Sequence, residues 1–585
     1  MASETSFLRH KVPLSVSVFV ALAVHAPLLI MGLPLRTSYD ANFHIFFASH
    51  YAQHWFDPWN EKWFAGFSQT TYPPLVHQWI ALLSRVIGLN EAFMVVMLLA
   101  VVLIPVSAYR FACLWVDERA ASYAALLSVF AGTLSFLVYS AGQLPTVLSF
   151  PLFLLAVTYL YHWAHTAEWQ ALLKGLALTL TAASVHHVTL IFGSLIFALP
   201  VIWLAVRDRS EEDGSRAAVL GRVMVFVVIA VAGVGIVLLP YWISIIQHPI
   251  KQVPIPHASR SNLLMNFNIL MNYFLVPYGA FILALPFIVI RGARVARLRP
   301  LLLAFWFTFI LSLGGTTPVP RWILGRAFEI LTFERFTLWA VLLGLPIVGL
   351  WAEEMIDRYN SRAVAAFATG AVVTISLAMG WLSWSPFRPT SGLDVSAVVE
   401  FLNRAGHDQY RYLTLGFGNA LPKLSTYANP GSVDGEYNSA RLLPEMTNYG
   451  SAQFTSAKFY GTAGMASLKA MLQHANHYGL KYIFVYDPYY DPLLVFTGWR
   501  PTETFNQGAI TAWVKDDVTP AHKIYSDAIP APWEGLLWGI LPMGSSILTI
   551  ILFLVLPKRR VAHVGNVLTI PAGAGESIYA REGQP

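Results

Sequence analysis

Charge is scarce in this chain. Only 12% of its 585 residues are Asp, Glu, Lys or Arg, whereas 56% are hydrophobic and the mean hydropathy is +0.55. A soluble globular protein carries about twice that charged fraction, and a lipid-facing surface is the one that cannot solvate charge. The composition therefore excludes a soluble globule. Cysteine is scarcer still. The single one, Cys113, lies within an apolar run, which excludes an internal disulfide framework and a cysteine metal site. A Walker loop, a dinucleotide fingerprint after a strand and a GxSxG elbow are all missing, so ATP-driven transport and nucleotide-cofactor chemistry have no support. The net charge of +6 and pI near 9.1 do not signify nucleic acid, because the basic residues form no stripe. They fall in short clusters between apolar runs, where membrane topology places them.

What the chain has is long apolar runs. They fall at 12–33, 91–112, 120–139, 144–163, 171–185, 188–206, 223–243, 273–290, 300–316, 337–352, 363–383 and 535–556, near the length that spans a bilayer. The first lacks a small-x-small cleavage site before Pro34 and reads as a retained helix rather than a signal peptide. If all twelve cross, Arg9 and Lys11, Arg207 to Arg222, Arg291 to Arg299, and Lys558 to Arg560 share one side. The positive-inside rule makes that side the cytoplasm, with both termini in it. The expectation is an α-helical polytopic protein of about twelve spans in the cytoplasmic membrane of a prokaryote. Residues 1–385 form the transmembrane domain, with an outer loop at 34–90 whose part 74–88 lies along the interface. Residues 386–532 turn polar and read as a small α/β domain outside the membrane. Its helices are expected at 394–405 and 466–477, its strands at 410–417 and 481–486. A final span at 533–560 precedes a disordered cytoplasmic tail, 561–585.

The candidate chemistry lies in the outer loops. Asp40 follows the first helix at the membrane–water boundary, with His44 four residues on. If 41–56 is helical, both point to one face. Together they could share a divalent metal such as Mg or Mn, or one could orient the other as a general base. Asp40 also suits a plain helix cap. His50, His54 and Asp57 form a second set at metal-ligand spacing on another face. Trp59, Trp63 and Tyr72 could stack on sugar rings or belong to an aromatic belt, with Glu61 among them. Glu334 and Arg335 stand at the outer mouth of a later helix, where a guanidinium clamps phosphate or snorkels to headgroups. His186 and His187 occupy an outer turn. Lys251, His257, Arg260, Arg321 and Arg326 add positive charge on the same side, suited to an anionic, lipid-bound substrate.

These residues form a pattern: Asp40-x-x-x-His44, a W-x-x-G element from Trp63 to Gly66, YPPL from Tyr72 to Leu75, the histidine pair, Arg335–Phe336, and GLKYIFV from Gly479 to Val485. The pattern resembles the GT-C superfamily of membrane glycosyltransferases, with the bacterial and archaeal membrane proteins labelled 6-pyruvoyl-tetrahydropterin synthase-related, near the YfhO-like proteins, as the nearest group. No histidine cluster suited to pterin chemistry accompanies it. The resemblance implies inverting transfer of a sugar from a polyprenyl-phosphate donor to an extracytoplasmic glycan or protein acceptor. Asp40 would be the base and His44 its partner. Arg335, with Arg260 and Arg321, would hold the phosphate, and Trp59, Trp63, Tyr72 and Glu61 would contact the sugar. The acidic pair often adjacent in such loops is Asp40–Ala41 here, which weakens a two-carboxylate metal site. A flippase or transporter of lipid-linked glycans, or a non-catalytic envelope-assembly protein, remains open on the sequence.

Overall fold

In a computed structural model of the chain, the described residues are 11–209, 215–249, 251–359, 370, 374, 392–437 and 440–556. The apolar run 363–383, the basic group 558–560 and the tail 561–585 lie outside them, as does Arg9. The other eleven runs are all helical, as lipid requires of a backbone that must satisfy its own amides and carbonyls. Eight helices among the described residues are long and apolar enough to cross a membrane: Leu89–Ala112, Glu118–Ala141, Leu144–Thr166, His187–Arg207, Arg216–Val237, Phe267–Arg294, Glu334–Arg358 and Pro532–Val555. Helix α1 (Leu14–Ile30) is apolar but shorter, and the runs near 171–185 and 300–316 give helices of 17 and 14 residues.

The two ends of the bundle differ in chemistry. At one end Lys11 pairs with Glu118 at 2.5 Å, Arg119 with Asp357 at 2.8 Å, Arg297 with Asp208, and Arg291 with Glu354. Arg207 donates there to the Ala296 carbonyl at 2.6 Å. Helix Glu334–Tyr359 carries Asp357 at that end and Glu334 at the other, about 35 Å away at 1.5 Å rise per residue.

The Glu334 end is covered by irregular structure. A short helix α2 (Leu33–Thr37) leads to α3 (Ala41–Gln53), a two-stranded ribbon of β1 (Trp59–Asn60) and β2 (Phe67–Ser68), and the amphipathic α4 (Leu75–Ile87). Above them sits a four-stranded sheet of order β3-β4-β6-β5. Strands β3 (Arg411–Leu415) and β4 (Leu480–Val485) run parallel, and β5 (Arg500–Phe505) and β6 (Ile510–Val514) complete it antiparallel. The helix predicted at 394–405 spans Ser396–Leu402, and that at 466–477 lies within Gly461–Gln473 and Ala475–Tyr478. The core of the sheet unit is shared with the loops beneath it. Phe43, Phe46, Phe47, Trp63, Phe64 and Phe67 pack in one cluster with Leu413, Val433 and Ile483. The sheet unit is thus anchored on α3 by apolar burial, the dominant favourable term in such contacts.

Candidate active site

The segment carrying Asp40 is held by the turn that ends helix Glu118–Ala141. Thr37 donates to the Tyr139 carbonyl at 2.6 Å, Tyr39 N to Ser140 O at 3.1 Å, and Asp40 N to Ala141 O at 2.9 Å. The turn reverses at Gly142, whose φ of +71° suits glycine. A Cβ there would stand 2.5 Å from Ser38 Oγ and 2.8 Å from Ala41 N, so only glycine lets the two segments touch. The next residue, Gln143, donates from Nε2 to Glu334 Oε1 at 2.6 Å. One turn therefore fixes Asp40 on one side and Glu334 on the other. Asp40 sits at the N-cap position of α3, but its side chain accepts no capping hydrogen bond. The plain capping role is not what its carboxyl does.

Asp40 is half-buried, surrounded by protein yet still reached by water, as a residue in a recess is. Arg335, Tyr72 and Glu436 stand within electrostatic range of Asp40 and His187 within range of Arg335, each half-buried. Burial and the charge of Glu334 push the Asp40 carboxyl up to about 7, against the opposing pull of Arg335. Arg335 donates to Thr332 Oγ1 at 2.9 Å, while its buried Nε has no hydrogen-bond partner. A buried guanidinium with an unused N–H is equipped for a further anion. Its charge also reaches Tyr72, His186, His187 and His257.

Several expected site residues have other work. His44 does not orient Asp40: its Nδ1 lies 3.0 Å from His77 Nε2, both rings are buried, and burial drives the His44 imidazole down to about 3. Among the described residues no group of three or more His, Cys, Asp or Glu could hold a metal ion, and His44 contacts His77 rather than Asp40. In the second histidine set, His50 Nε2 contacts the Asp57 carbonyl at 2.7 Å while the Asp57 carboxylate accepts from Trp59 N at 3.0 Å. That set builds a turn. Trp63 is fully buried, stacked on Phe46 at 3.9 Å between ring centroids, and donates to Ser425 Oγ at 2.8 Å. Trp59 is buried as well, its ring filling the space beside Gly66. Glu61 faces Lys523 of the sheet unit at 3.5 Å. Trp63 and Glu61 thus tie the loop to the sheet unit, and Trp59 packs within the loop itself. Arg260 gives its guanidinium to the carbonyls of Glu329 and Ile255, although it lies within range of Glu334. Arg321 pairs with Glu329 at 2.8 Å and covers the Phe328 ring. Backbone and carboxylate partners thus already occupy both. Tyr72 and Arg335 alone join Asp40. Two residues came without a signal in the sequence: Gln143, which positions Glu334, and Glu436, whose carboxyl feels the charge of Asp40.

No protein-family model matches the chain, and no curated protein matches it in sequence. The fold defines the class: a multi-span helical protein with a small sheet unit at one end. Among solved structures it is similar to ArnT from Cupriavidus metallidurans in the apo state, with TM-score 0.52 and 13% identity over 85% of this chain and 98% of that one. The same protein bound to undecaprenyl phosphate gives TM-score 0.51 and 13% identity over 88% and 99%. The arabinofuranosyltransferase AftD from Mycobacteria gives TM-score 0.51 and 14% identity over 87% of this chain and 40% of its own. At such identities the likeness is one of fold.

Proposed function

We propose that the protein transfers a sugar from a polyprenyl-phosphate donor to a hydroxyl-bearing acceptor on the outer face of a prokaryotic cytoplasmic membrane, with inversion. The observation that carries this is the water-reachable Asp40 carboxyl beside Arg335, at the bundle end opposite the arginine-rich one. By the positive-inside rule the arginine-rich end is cytoplasmic and Asp40 external. Nucleotide sugars stay in the cytoplasm, so an external enzyme takes its donor on a lipid whose tail remains in the bilayer. ArnT, of the same fold, has been solved with undecaprenyl phosphate bound.

Asp40 takes the proton of the acceptor hydroxyl as its oxygen forms the bond to the anomeric carbon. The bond from that carbon to the phosphate oxygen breaks, and the polyprenyl phosphate leaves with the electron pair. Arg335 stabilises the charge that grows on the phosphate. The titratable groups around Asp40 lie at an end of the helices, whereas transporters keep theirs near mid-membrane, which favours the enzyme over the flippase.

The test is the pH dependence of kcat/KM with a polyprenyl-phosphate sugar. The active form has Asp40 ionised, so the rate rises with pH through about 7 and then levels. Glu334's negative charge raises that inflection and Arg335's positive charge lowers it. Removing the first with Glu334→Gln therefore moves the inflection to lower pH. A rate independent of pH between 5 and 9, set roughly two units either side of 7, or an inflection that moves upward, contradicts the assignment.

A further inference from the structure

One carboxyl of the recess comes from the sheet unit, some four hundred residues from Asp40. Glu436 lies in the loop after residue 431, and both of its neighbours are anchored. On one side the buried Asp434 carboxylate accepts from the amides of Gly435 at 2.9 Å, Phe454 at 3.0 Å and Thr455 at 2.6 Å. A Cβ on Gly435 would lie 2.6 Å from the Phe64 ring, so the loop is pressed against the aromatic cluster. On the other side Tyr437 donates to the Thr71 carbonyl at 2.7 Å and meets the Tyr72 ring edge-on at 5.1 Å. Between these anchors Glu436 is half-buried, and its neighbour Tyr437 meets the ring of Phe43, three residues from Asp40 on α3, at 5.8 Å, so the Asp40 charge acts on the Glu436 carboxyl.

We infer that Glu436 is the acceptor-binding residue of this site, its carboxyl holding a hydroxyl of a glycan or other polyol while Asp40 faces the hydroxyl that reacts. The inference rests on the transferase reading above. Two carboxyls facing one recess do not both ionise readily. Burial, with the charges of Asp40 and then Asp434, holds Glu436 protonated well above the usual carboxylate range. A neutral carboxyl donates one hydrogen bond and accepts others, as a sugar hydroxyl does, and it does not repel Asp40. The charge of Arg335 acts on Asp40, and that of Asp40 on Glu436.

The full-length purified protein, given a polyprenyl-phosphate sugar and a panel of free mono- and disaccharides as acceptors, tests this. In Glu436→Ala the acceptor KM should rise about tenfold or more with the donor KM little changed, the loss of one buried hydrogen-bonding group to the ligand. Glu436→Gln, which mimics the protonated carboxyl, should restore most of the acceptor affinity. Should the alanine variant fail to purify folded, Glu436→Asp withdraws the carboxyl by one methylene and should raise the acceptor KM in the same sense. An unchanged acceptor KM in Glu436→Ala, or a Gln variant as defective as Ala, overturns the assignment while leaving the transferase reading in place. Wild-type protein that transfers to no saccharide from any lipid donor overturns both.

Discussion

Asp40→Asn is expected to lower kcat for sugar transfer about 10²–10⁴-fold, the contribution of a positioned general base, while the donor KM stays within a few-fold of wild type. The variant should fold and insert normally. The carboxyl caps no helix amide, and the segment is held instead by backbone hydrogen bonds from Tyr39 and Asp40 to Ser140 and Ala141 and by the contact at Gly142. Asn keeps the size and shape of Asp but cannot accept a proton at neutral pH. Initial rates of the purified variant against wild type, with thermal unfolding as the control, read the effect. Wild-type rates in Asp40→Asn would remove the residue from the chemistry.

The second large effect is expected at Arg335. Arg335→Ala removes a half-buried guanidinium whose buried Nε–H is unused, and kcat should fall about 10²–10³-fold, the range for deleting a fixed charge that meets the transition state. Arg335→Lys should recover only part of this, since an ammonium keeps the charge but not the planar fork. Arg260→Ala and Arg321→Ala should differ from it in kind. The Arg260 guanidinium ties Ile255 and Glu329 together, and Arg321 pairs with Glu329. Their loss should lower stability more than turnover. If all three variants lose activity in parallel with their melting temperatures, Arg335 has no special role.

The sequence spoke clearly where one physical constraint acts locally. Lipid demands helical apolar segments, and the described apolar runs are helical, some with a break such as those at Phe130–Ala131 and Leu238. The strands Arg411–Leu415 and Leu480–Val485 were legible from β-branched and aromatic residues between turn signals. The hairpin of β5 and β6 went unread, although Asn506, Gln507 and Gly508, all at positive φ, mark its turn. The site was legible only in part, because its geometry is set across long separations. Gln143 meets Glu334 at 191 residues' distance, and Trp63 meets Ser425 at 362. An aromatic stripe such as Trp59 to Trp63 looks alike whether it faces water or another layer of protein, and here the sheet unit covers it. His44 shows the same limit on a smaller scale. Its spacing from Asp40 suggested a pair, but His77, brought alongside by α4, takes the ring. Glu436 carried no signal because its meaning depends wholly on where the loop lands.

The central claim is that this recess takes its sugar from a lipid carrier, and donor choice tests it most directly. Protein in lipid nanodiscs would be offered polyprenyl-phosphate sugars and, separately, the corresponding nucleotide sugars, with transfer to a saccharide acceptor measured in each. Transfer from a polyprenyl-phosphate sugar and none from its nucleotide counterpart is the predicted result. Transfer from the nucleotide sugar alone, or from neither, would contradict the account.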